Sequence, residues 1–379
     1  MILGIFPEQG GSIGNLARVG QDSRFITSYL GRYAQAFEQV YYFSYANEKP
    51  PFATPLPPNC QVIANPGYHR WAYAFLLPFV QRRYIQQCAV LRVMQAYGAI
   101  PAMLTRLTYG KPYVATYGYS YFDVVRANEP LARAHVMEQR ARLGARCASG
   151  VIVTTDEMAA RVRTFVADDK IIKVPNGVDT TLFAPRTQLP AQRNEHVLLY
   201  IGRLSKEKNL FMLLDALAML DQLPLRLVLV GRGDQEAELK AYAAQRGVNA
   251  DFKGVVANQD LPALLQQADL FVLPSLGEGH PKVLIEAMAC GLPCVGTDVT
   301  GIHNVLQHDV TGLLCQLTAT DLAAKLNQIL TEPDLAARLG AAARQYAIDN
   351  YEQGALLQRE IKFMQSLDQN KNSHQKSSL

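Results

Sequence analysis

Two glutamates, Glu278 and Glu286, stand eight positions apart in the stretch 275–291, which reads SLGEGHPKVLIEAMACG. Glu286 is the only polar residue in the run VLIEAMAC at 283–290, so its carboxylate needs a hydrogen-bonding partner. Glu278 precedes this run, where the free N–H groups and positive dipole end of a helix attract anions. We therefore expect two carboxylates to flank an anion site and to accept hydroxyl groups on either side of it.

The elements that position these glutamates follow from the neighbouring residues. The apolar run 270–274 predicts a strand buried on both faces of a parallel sheet. Gly277 and Gly279 predict a loop, and Pro281 suits the first position of a helix, where its missing N–H costs nothing. The site would thus lie at the carboxyl end of a parallel strand, where open α/β sheets bind ligands.

Two cations follow another apolar run. Arg203 comes directly after VLLYIG, and Lys208 lies five residues later in GRLSKEKN. Taken singly, a loop arginine or lysine is more often a solvated surface charge. Together at the carboxyl end of a strand, they can stabilise the charge that develops on a departing diphosphate.

The segment EGHPKVLIEAMACG with its E-x7-E spacing, and the pattern G-R-x4-K, resemble the retaining glycosyltransferases of family 4. The resemblance implies the GT-B fold, an α/β architecture of two Rossmann-like domains facing each other across a cleft. It implies that Arg203 and Lys208 contact the donor phosphates, Glu286 the ribose hydroxyls and Glu278 the transferred sugar. The implied donor-binding set also includes Gly10, Gly11, Gly202, Gly231, Lys282, Val283 and Leu284.

The sequence departs from the family pattern after the run PYVAT, where many members carry His-Gly and this chain has Tyr117-Gly118-Tyr119. A tyrosine can hydrogen-bond a sugar hydroxyl, but its side-chain pKa is about 10, so it is a poor general base at neutral pH. The departure bears on the identity of the sugar more than on the reaction. We expect Tyr117 and His280 to contact the sugar or the acceptor.

At 379 residues the chain exceeds the size of a single hydrophobic core, so two domains are expected. We expect an acceptor-side domain at 1–176, a domain that binds the nucleotide sugar at 177–350, a helix at 351–367 that returns to the first domain, and a disordered tail at 368–379. Apolar runs alternate with helical stretches in both halves, which predicts two parallel sheets wound with helices. The predicted strands are Met1–Phe6, Val40–Phe43, Val62–Ala64, Val90–Val93, Tyr113–Ala115 and Gly150–Val153 in the first half, and VLLYI, RLVLV, DFKGV, DLFVL and LPCVG in the second. The polar stretch 186–195 precedes the second set.

Composition excludes several classes. With 49% hydrophobic and 18% charged residues the chain is an ordinary globular protein, and a net charge of +4 gives no support to a nucleic-acid partner. The six cysteines form no C-x-x-C pair, the seven histidines show no ligand spacing, and no D-x-D occurs. We expect no metal and no resident cofactor, with the nucleotide sugar as a substrate.

The start MILGIFPEQGG lacks the basic region of a signal peptide, so a cytoplasmic protein is expected. The run 71–80 is half the length of a spanning helix. The segment 68–84 mixes aromatic residues with Arg70, Arg82 and Arg83. Two interpretations remain open for it: a buried helix with a charged end, or peripheral contact with the inner face of the cell membrane.

Other function classes also remain open. Residues 10–14, GGSIG, match the G-x-S-x-G turn of serine hydrolases, but only one strand precedes them, which favours a flexible loop that approaches the donor. A GT-B nucleotide-sugar epimerase or a non-catalytic sugar-nucleotide-binding protein would share the same donor site. We favour a metal-independent retaining transferase with a glycan or lipid-linked acceptor, in cell-envelope polysaccharide or glycolipid synthesis.

Overall fold

The structure, a computed structural model, describes residues 1–126, 130–186 and 194–376, with backbone alone at 123–125 and 368–376. The chain forms two compact units. Unit 1 comprises Met1–Pro175 together with the chain from Gly354 onward, and unit 2 comprises Asn176–Gln353. Most of the polar stretch 186–195, and the last three residues of the predicted tail, lie outside the described residues.

Unit 1 contains a parallel sheet with the strand order β3-β2-β1-β4-β5-β6-β7 within the described residues. Its strands are β1 (Ile2–Phe6), β2 (Gln39–Phe43), β3 (Cys60–Ile63), β4 (Val90–Val93), β5 (Tyr113–Tyr117), β6 (Gly150–Val153) and β7 (Ile171–Lys173). The helices before the crossing to unit 2 are α1 (Ile13–Arg18), α2 (Asp22–Arg24), α3 (Gly31–Ala36), α4 (Arg70–Val80), α5 (Arg82–Ile85), α6 (Ile100–Tyr109), α7 (Tyr121–Arg126), α8 (Leu131–Arg146) and α9 (Asp156–Arg163). A π-helical turn, Phe25–Leu30, joins α2 to α3.

Unit 2 contains a second parallel sheet, with the order β10-β9-β8-β11-β12-β13 in the part of the chain that the structure describes. Its strands are β8 (His196–Ile201), β9 (Leu225–Val230), β10 (Ala250–Gly254), β11 (Leu270–Leu273), β12 (Cys294–Thr297) and β13 (Leu313–Cys315). Its helices are α10 (Leu210–Ala218), α11 (Glu236–Gln245), α12 (Leu261–Gln267), α13 (Lys282–Ala289), α14 (Ala319–Thr331) and α15 (Pro333–Tyr351). The last helix, α16 (Gln353–Lys376), belongs to unit 1 from Gly354 onward.

Alternate side chains of the unit 1 strands enter two separate cores, because successive residues of a strand point to opposite faces. On one face Leu3 packs in the same cluster as Tyr33 of helix α3 and Leu357 of helix α16. On the other face Phe43 packs in the same cluster as Tyr73 of α4. Helices α3 and α16 therefore cover one side of the sheet and α4 covers the other.

The two predicted wound sheets are confirmed, and the predicted strands lie within a few residues of the observed ones. Two boundaries differ. Pro281 is the residue before α13 rather than its first residue. Helix α16 runs to Lys376, although the sequence predicts a disordered tail from Asp368. The segment DQNKNSHQK contains neither proline nor glycine, the residues that most readily end a helix. No helix in the described part of the chain is both long and apolar enough to cross a membrane.

A buried ion pair attaches α16 to the sheet of unit 1. The Arg92 guanidinium on β4 donates from Nε to Glu360 Oε1 at 2.6 Å, and both side chains are almost completely buried. The Tyr33 hydroxyl donates to the same oxygen at 2.5 Å, and Arg92 Nη2 donates to Thr116 Oγ1 at 2.6 Å. Both charges are therefore hydrogen-bonded, which a buried ion pair requires.

We predict that Glu360→Gln destabilises unit 1 by about 3–5 kcal/mol, because it leaves the Arg92 charge buried without its counter-charge. Differential scanning calorimetry should show the unit 1 transition at lower temperature and the unit 2 transition unchanged. The control is Asp168→Asn, which breaks the exposed Arg163–Asp168 pair and should cost less than about 1 kcal/mol. An unchanged melting profile for Glu360→Gln would show that this pair does not hold α16 in place.

Candidate functional site

The structure brings two of the predicted site residues into direct contact in unit 2. Lys208 Nζ donates to Glu278 Oε1 at 2.6 Å, and the two side chains are exposed over only 18% and 13% of their surface. A charge-assisted hydrogen bond of this length between poorly hydrated groups fixes both side chains. The cation and the first glutamate of the E-x7-E pattern therefore form one charged centre.

The sheet order explains why residues seventy positions apart meet. Strand β8 leads to Lys208 and strand β11 leads to Glu278, and these strands are neighbours. A backbone hydrogen bond joins the loops that follow them, because Leu276 N donates to Glu207 O at 2.9 Å. Glu278 N also donates to Thr300 O, in the loop after β12, at 3.1 Å. The pair thus lies at the carboxyl edge of the sheet, as the sequence predicts for a ligand site.

Ser275 is a further member of this centre that the sequence reasoning missed. Its side chain is fully buried, and its hydroxyl donates to Glu278 Oε1 at 2.7 Å. The Thr297 hydroxyl at the end of β12 in turn donates to the Ser275 carbonyl oxygen at 2.5 Å. Ser275 directly follows the predicted strand and lies three residues before Glu278. Its position at the carboxyl end of a parallel strand is the signal that could have marked it as a site residue.

Arg203 differs from Lys208 because its side chain is 71% exposed. Its guanidinium Nη1 lies 3.6 Å from Glu207 Oε1, and its carbonyl oxygen accepts from the Tyr200 hydroxyl at 2.8 Å. Burial opposes ionisation of Glu207, but the hydrogen bond from Ser205 and the nearby cations lower the pKa of this carboxyl. Arg203 is therefore an exposed cation beside the largely buried Lys208.

Glycines allow the loops after β8 and β9 to lie against each other. Gly231 has φ +135° and donates its N–H to Gly254 O at 2.7 Å, and a Cβ added to it would collide with the Gly202 backbone. A Cβ added to Gly202 would meet the Tyr200 hydroxyl. Gly202 N donates to Val230 O at 2.9 Å. These glycines are required by close backbone packing beside the charged centre.

Glu286 lies on α13 with 1% of its surface exposed. A buried carboxylate needs hydrogen-bonding partners, and one of them is Asn258, whose Nδ2 donates to Glu286 Oε1 at 3.3 Å. Asn258 is itself buried and follows β10. The sequence indicates that a partner exists, but nothing in it identifies Asn258, which comes twenty-eight positions earlier.

The start of α13 carries three residues of the implied donor set. Lys282 and Val283 are half-buried, whereas the Leu284 side chain is fully buried in the core of unit 2. The residue before the helix, Pro281, supplies no side-chain hydrogen bond to its first N–H groups. A contact from Leu284 would therefore come from its backbone, at a helix end that attracts anions.

His280 lies between Glu278 and α13, but its ring is enclosed. It packs edge-on against Tyr351 at 5.3 Å, and its carbonyl oxygen accepts from Asn176 Nδ2 at 2.8 Å. Burial, with a smaller contribution from Lys282, lowers the pKa of His280 to about 4, so the ring is neutral at pH 7. His280 therefore holds the loop in place through its packing and its backbone hydrogen bond, and its ring is too buried to contact a sugar or an acceptor in this structure.

The glycine loop of unit 1 follows β1, and the carboxylate of Glu48 binds its last N–H groups. Glu48 accepts from the N–H groups of Ile13 and Gly14, each at 2.9 Å, and from the Ser44 hydroxyl at 2.6 Å. Ser12, the serine of the G-x-S-x-G match, is buried, and its Oγ accepts from Asn15 N at 3.0 Å. This serine caps α1, which is unlike the exposed nucleophile of a hydrolase.

Gly10 and Gly11, predicted as donor contacts, precede this cap. Gly10 has φ +90°, and a Cβ added to Gly11 would lie 2.9 Å from the Glu8 carbonyl oxygen. The loop thus has a conformation that favours glycine. Glu48 was missed because it is thirty-four positions from the loop that it binds.

The predicted role of Tyr117 needs correction. Its side chain is fully buried in the core of unit 1, and its hydroxyl donates to Glu138 Oε1 at 2.8 Å. Its ring packs against Tyr121 and Phe165, and burial followed by Glu138 raises its pKa. Tyr117 is a core residue without surface for a sugar, because α8 supplies a carboxylate that the local sequence does not reveal.

Within the described ranges, no group of three or more His, Cys, Asp or Glu side chains lies close enough together to hold a metal ion.

Two family models match this chain. The family model described as Glycosyltransferase Family 4 matches residues 23–182, and the model described as Glycosyl transferases group 1 matches residues 184–346. The second match contains Arg203, Lys208, Glu278 and Glu286. The two models thus follow one another along the chain, one in each of its halves.

Individual relatives are similar over part of their length. UDP-Gal:alpha-D-GlcNAc-diphosphoundecaprenol alpha-1,3-galactosyltransferase from Escherichia coli is 32% identical over 171 residues, 41% of this chain and 44% of that protein. N-acetyl-alpha-D-glucosaminyl L-malate synthase from Bacillus anthracis is 28% identical over 219 residues, 55% of this chain and 58% of that protein. The chain therefore spans about half the length of these relatives.

Solved structures are similar over nearly the whole chain. Sucrose-phosphate synthase from Thermosynechococcus elongatus aligns with a TM-score of 0.78 at 22% identity, over 97% of this chain and 98% of that one. The Anabaena protein HepE, solved with UDP and glucose, aligns with a TM-score of 0.72 at 19% identity, over 96% and 99%. At these identities the likeness establishes the fold, and it confirms the predicted pair of Rossmann-like domains.

We predict that Gly231→Ala destabilises unit 2, because alanine at φ +135° is strained by about 1–2 kcal/mol and its Cβ collides with Gly202. The matched control is Gly277→Ala, whose Cβ would meet no heavy atom within 4 Å. This control should change the free energy of unfolding by less than about 0.5 kcal/mol. Urea denaturation of both variants provides the measurement, and equal stability of the two would contradict the close packing of these loops.

Proposed function

The chain belongs to the family 4 glycosyltransferases, which have the GT-B fold, and from this premise we propose that it transfers a sugar from a nucleotide diphosphate to a hydroxyl acceptor. The anomeric C–O bond to the diphosphate breaks, and a new C–O bond to the acceptor oxygen forms on the same face of the sugar. The acceptor proton leaves on the departing phosphate. The reaction is thus retaining and requires no protein base, which agrees with the burial of Tyr117.

The observation that carries this proposal is the Lys208–Glu278 centre at the carboxyl edge of the unit 2 sheet. Lys208 provides a fixed positive charge for the departing diphosphate, and the exposed Arg203 can turn toward the same group. Both bonds that Glu278 accepts use Oε1, so we assign Oε2 to a hydroxyl of the donor sugar. The Lys208–Glu278 pair would thus contact both the donor sugar and the diphosphate that leaves it.

The rest of the donor would be held by α13 and its surroundings. The first turn of the helix, at Lys282, Val283 and Leu284, would direct backbone N–H groups at a phosphate oxygen, and Pro281 provides no side-chain cap. Glu286 would accept the ribose hydroxyls beside Asn258. Because Glu286 is almost fully buried, ribose binding requires the surrounding side chains to move apart. Phosphate charge would be met by Lys208, Arg203 and helix N–H groups, so we propose that no metal is needed.

The named relatives suggest where to look for substrates. HepE was solved with UDP and glucose, and the Escherichia coli relative is named for UDP-Gal and a diphosphoundecaprenol acceptor. We therefore propose a UDP-sugar as the first donor to test and a role in cell-envelope polysaccharide or glycolipid synthesis.

The test is to incubate the protein with UDP-, GDP- and ADP-sugars, with and without membrane extract as the acceptor source, and to measure released nucleotide. We expect release that depends on the acceptor and persists in excess EDTA, because cationic side chains and N–H groups meet the phosphate charge. Turnover without an acceptor would indicate an epimerase, and binding without turnover a non-catalytic protein. Complete loss in EDTA that Mg²⁺ or Mn²⁺ restores would contradict the metal-independent mechanism.

We predict that Lys208→Ala and Arg203→Ala each lower turnover by about 10²-fold or more, because each removes charge stabilisation of the leaving group. The matched control is Lys206→Ala, which removes an exposed lysine from the same 3-10 turn and should retain activity. Turnover is measured with the donor found above, and circular dichroism checks the fold. Wild-type activity in the Lys208 or Arg203 variant would exclude that residue from the reaction.

A surface of unit 1 supports a membrane-bound acceptor. Helix α4 exposes an apolar stripe formed by Trp71, Phe75, Leu76, Phe79 and Val80, while its other side packs into the core. Arg82 and Arg83 are exposed just beyond it. An apolar stripe beside basic residues suits the interface of an anionic bilayer. We propose that the protein works in the cytoplasm and binds the inner face of the cell membrane through 68–84.

We predict that the protein sediments with anionic liposomes at low salt, is released as salt rises, and binds neutral liposomes poorly. Arg82→Glu/Arg83→Glu should abolish sedimentation and leave binding of the donor nucleotide intact. The matched control is Arg18→Glu/Arg32→Glu, which makes the same charge change on α1 and α3, on the opposite side of the sheet. If the wild type does not bind anionic liposomes even at low salt, a soluble acceptor becomes the better proposal.

A further inference from the structure

Two arginines from different helices converge on one aromatic ring in unit 1. The guanidinium carbon of Arg70, at the start of α4, lies 5.9 Å from the centre of the Trp71 ring. That of Arg140, on α8, lies 5.3 Å from the same centre. Trp71 remains 44% exposed. Two like charges beside one ring repel each other, and an anion bound between them would relieve that repulsion.

Neither guanidinium forms an ion pair with a carboxylate in the described part of the chain. Arg140 donates to neutral acceptors, Gln9 Oε1 at 2.8 Å and the Tyr97 carbonyl oxygen at 3.4 Å. Burial lowers the pKa of Arg140, and no carboxylate offsets that cost. The nearby Glu8 is engaged by the Tyr97 hydroxyl at 3.2 Å. Arg140 is therefore a half-buried cation whose counter-charge could come from a bound anion.

The surroundings also offer hydrogen-bond donors. Gln9 Nε2 is buried, and among the described residues it has no hydrogen-bond partner. The Arg70 side chain lies over Gly10, with its Cδ 3.6 Å from the position of an added Cβ. Gln9 and Gly10 follow β1, so the cluster lies at the carboxyl edge of the unit 1 sheet, where such sheets bind ligands. The cluster therefore combines two cations, a free amide donor and an exposed aromatic ring.

We propose that Arg70 and Arg140 bind a phosphate group of the acceptor, and that the Trp71 ring packs against the group attached to it. Guanidinium groups match phosphate oxygens with paired N–H donors. The apolar stripe of α4 starts at Trp71 and leads away from this cluster, so a phosphate bound there can carry a hydrocarbon chain along Phe75 and Phe79. The acceptor role depends on the proposed function, whereas the phosphate site itself does not.

A single tryptophan makes this site directly observable, because Trp71 is the only one in the chain. Titration with inorganic pyrophosphate should give a saturable change in Trp71 fluorescence, and potassium chloride at equal ionic strength should not. Arg70→Gln/Arg140→Gln should weaken pyrophosphate binding by about tenfold or more, since both charged donors are lost. Arg18→Gln/Arg32→Gln, which removes two charges on the other side of the sheet, should bind like the wild type.

A second variant separates this site from the donor site. Lys208→Ala should retain the Trp71 response to pyrophosphate while losing affinity for UDP in calorimetry, and Arg70→Gln/Arg140→Gln should show the opposite pattern. A Trp71 response that is lost in Lys208→Ala but kept in Arg70→Gln/Arg140→Gln would assign the signal to the donor phosphates and overturn the proposal. A wild type without any response beyond that of potassium chloride would also overturn it.

Farnesyl diphosphate distinguishes the source of the phosphate. If the acceptor is lipid-linked, this compound should bind more tightly than pyrophosphate, and Phe75→Ser/Phe79→Ser should remove the difference. Equal affinities would indicate a soluble phosphorylated acceptor. Once a donor and acceptor are found, Arg70→Gln/Arg140→Gln should raise the KM of the acceptor and leave that of the donor unchanged. An unchanged acceptor KM in an active enzyme would reject the acceptor role while the proposed transferase stands.

Discussion

The proposed donor site depends on one ion pair, between Lys208 and Glu278, which joins the loops after two neighbouring parallel strands. Around this pair Ser275 donates a hydrogen bond, the Gly202 and Gly231 loops pack closely, and α13 begins after Pro281, which provides no side-chain cap. In the proposed reaction an incoming diphosphate competes with Glu278 for Lys208. Lys208 and Glu278 are therefore placed beside each other by the fold, and the pair itself must open when the diphosphate binds.

Much of the fold and part of the site could be predicted from the sequence, for physical reasons. Buried parallel strands are continuous apolar runs, and such runs located β1, β6 and β11 within a few residues. Glu286 stood out because a carboxylate in an apolar helix requires a partner. Lys208 and Glu278 could be associated because carboxyl ends of parallel strands meet at one edge of a sheet.

The features that were missed share a different cause, because each depends on a side chain from a distant part of the chain. Tyr117 is the last residue of β5, a position where ligand residues occur, but its hydroxyl is bonded to Glu138 of α8 in the core. Glu48 fixes the glycine loop from another segment, and Arg140 reaches Trp71 from α8. Local pattern gives the element on which a residue lies, whereas its partners are set by tertiary packing.

The return of α16 to unit 1 has a consequence for synthesis on the ribosome. Unit 2 is one continuous segment, Asn176–Gln353, whereas the core of unit 1 includes Leu357 and Met364 from α16. The buried Arg92 also lacks its counter-charge until Glu360 has been made. A nascent chain can therefore complete unit 2 while the earlier-made unit 1 remains unfinished. The last residues that unit 1 needs are therefore made only after all of unit 2 has been synthesised.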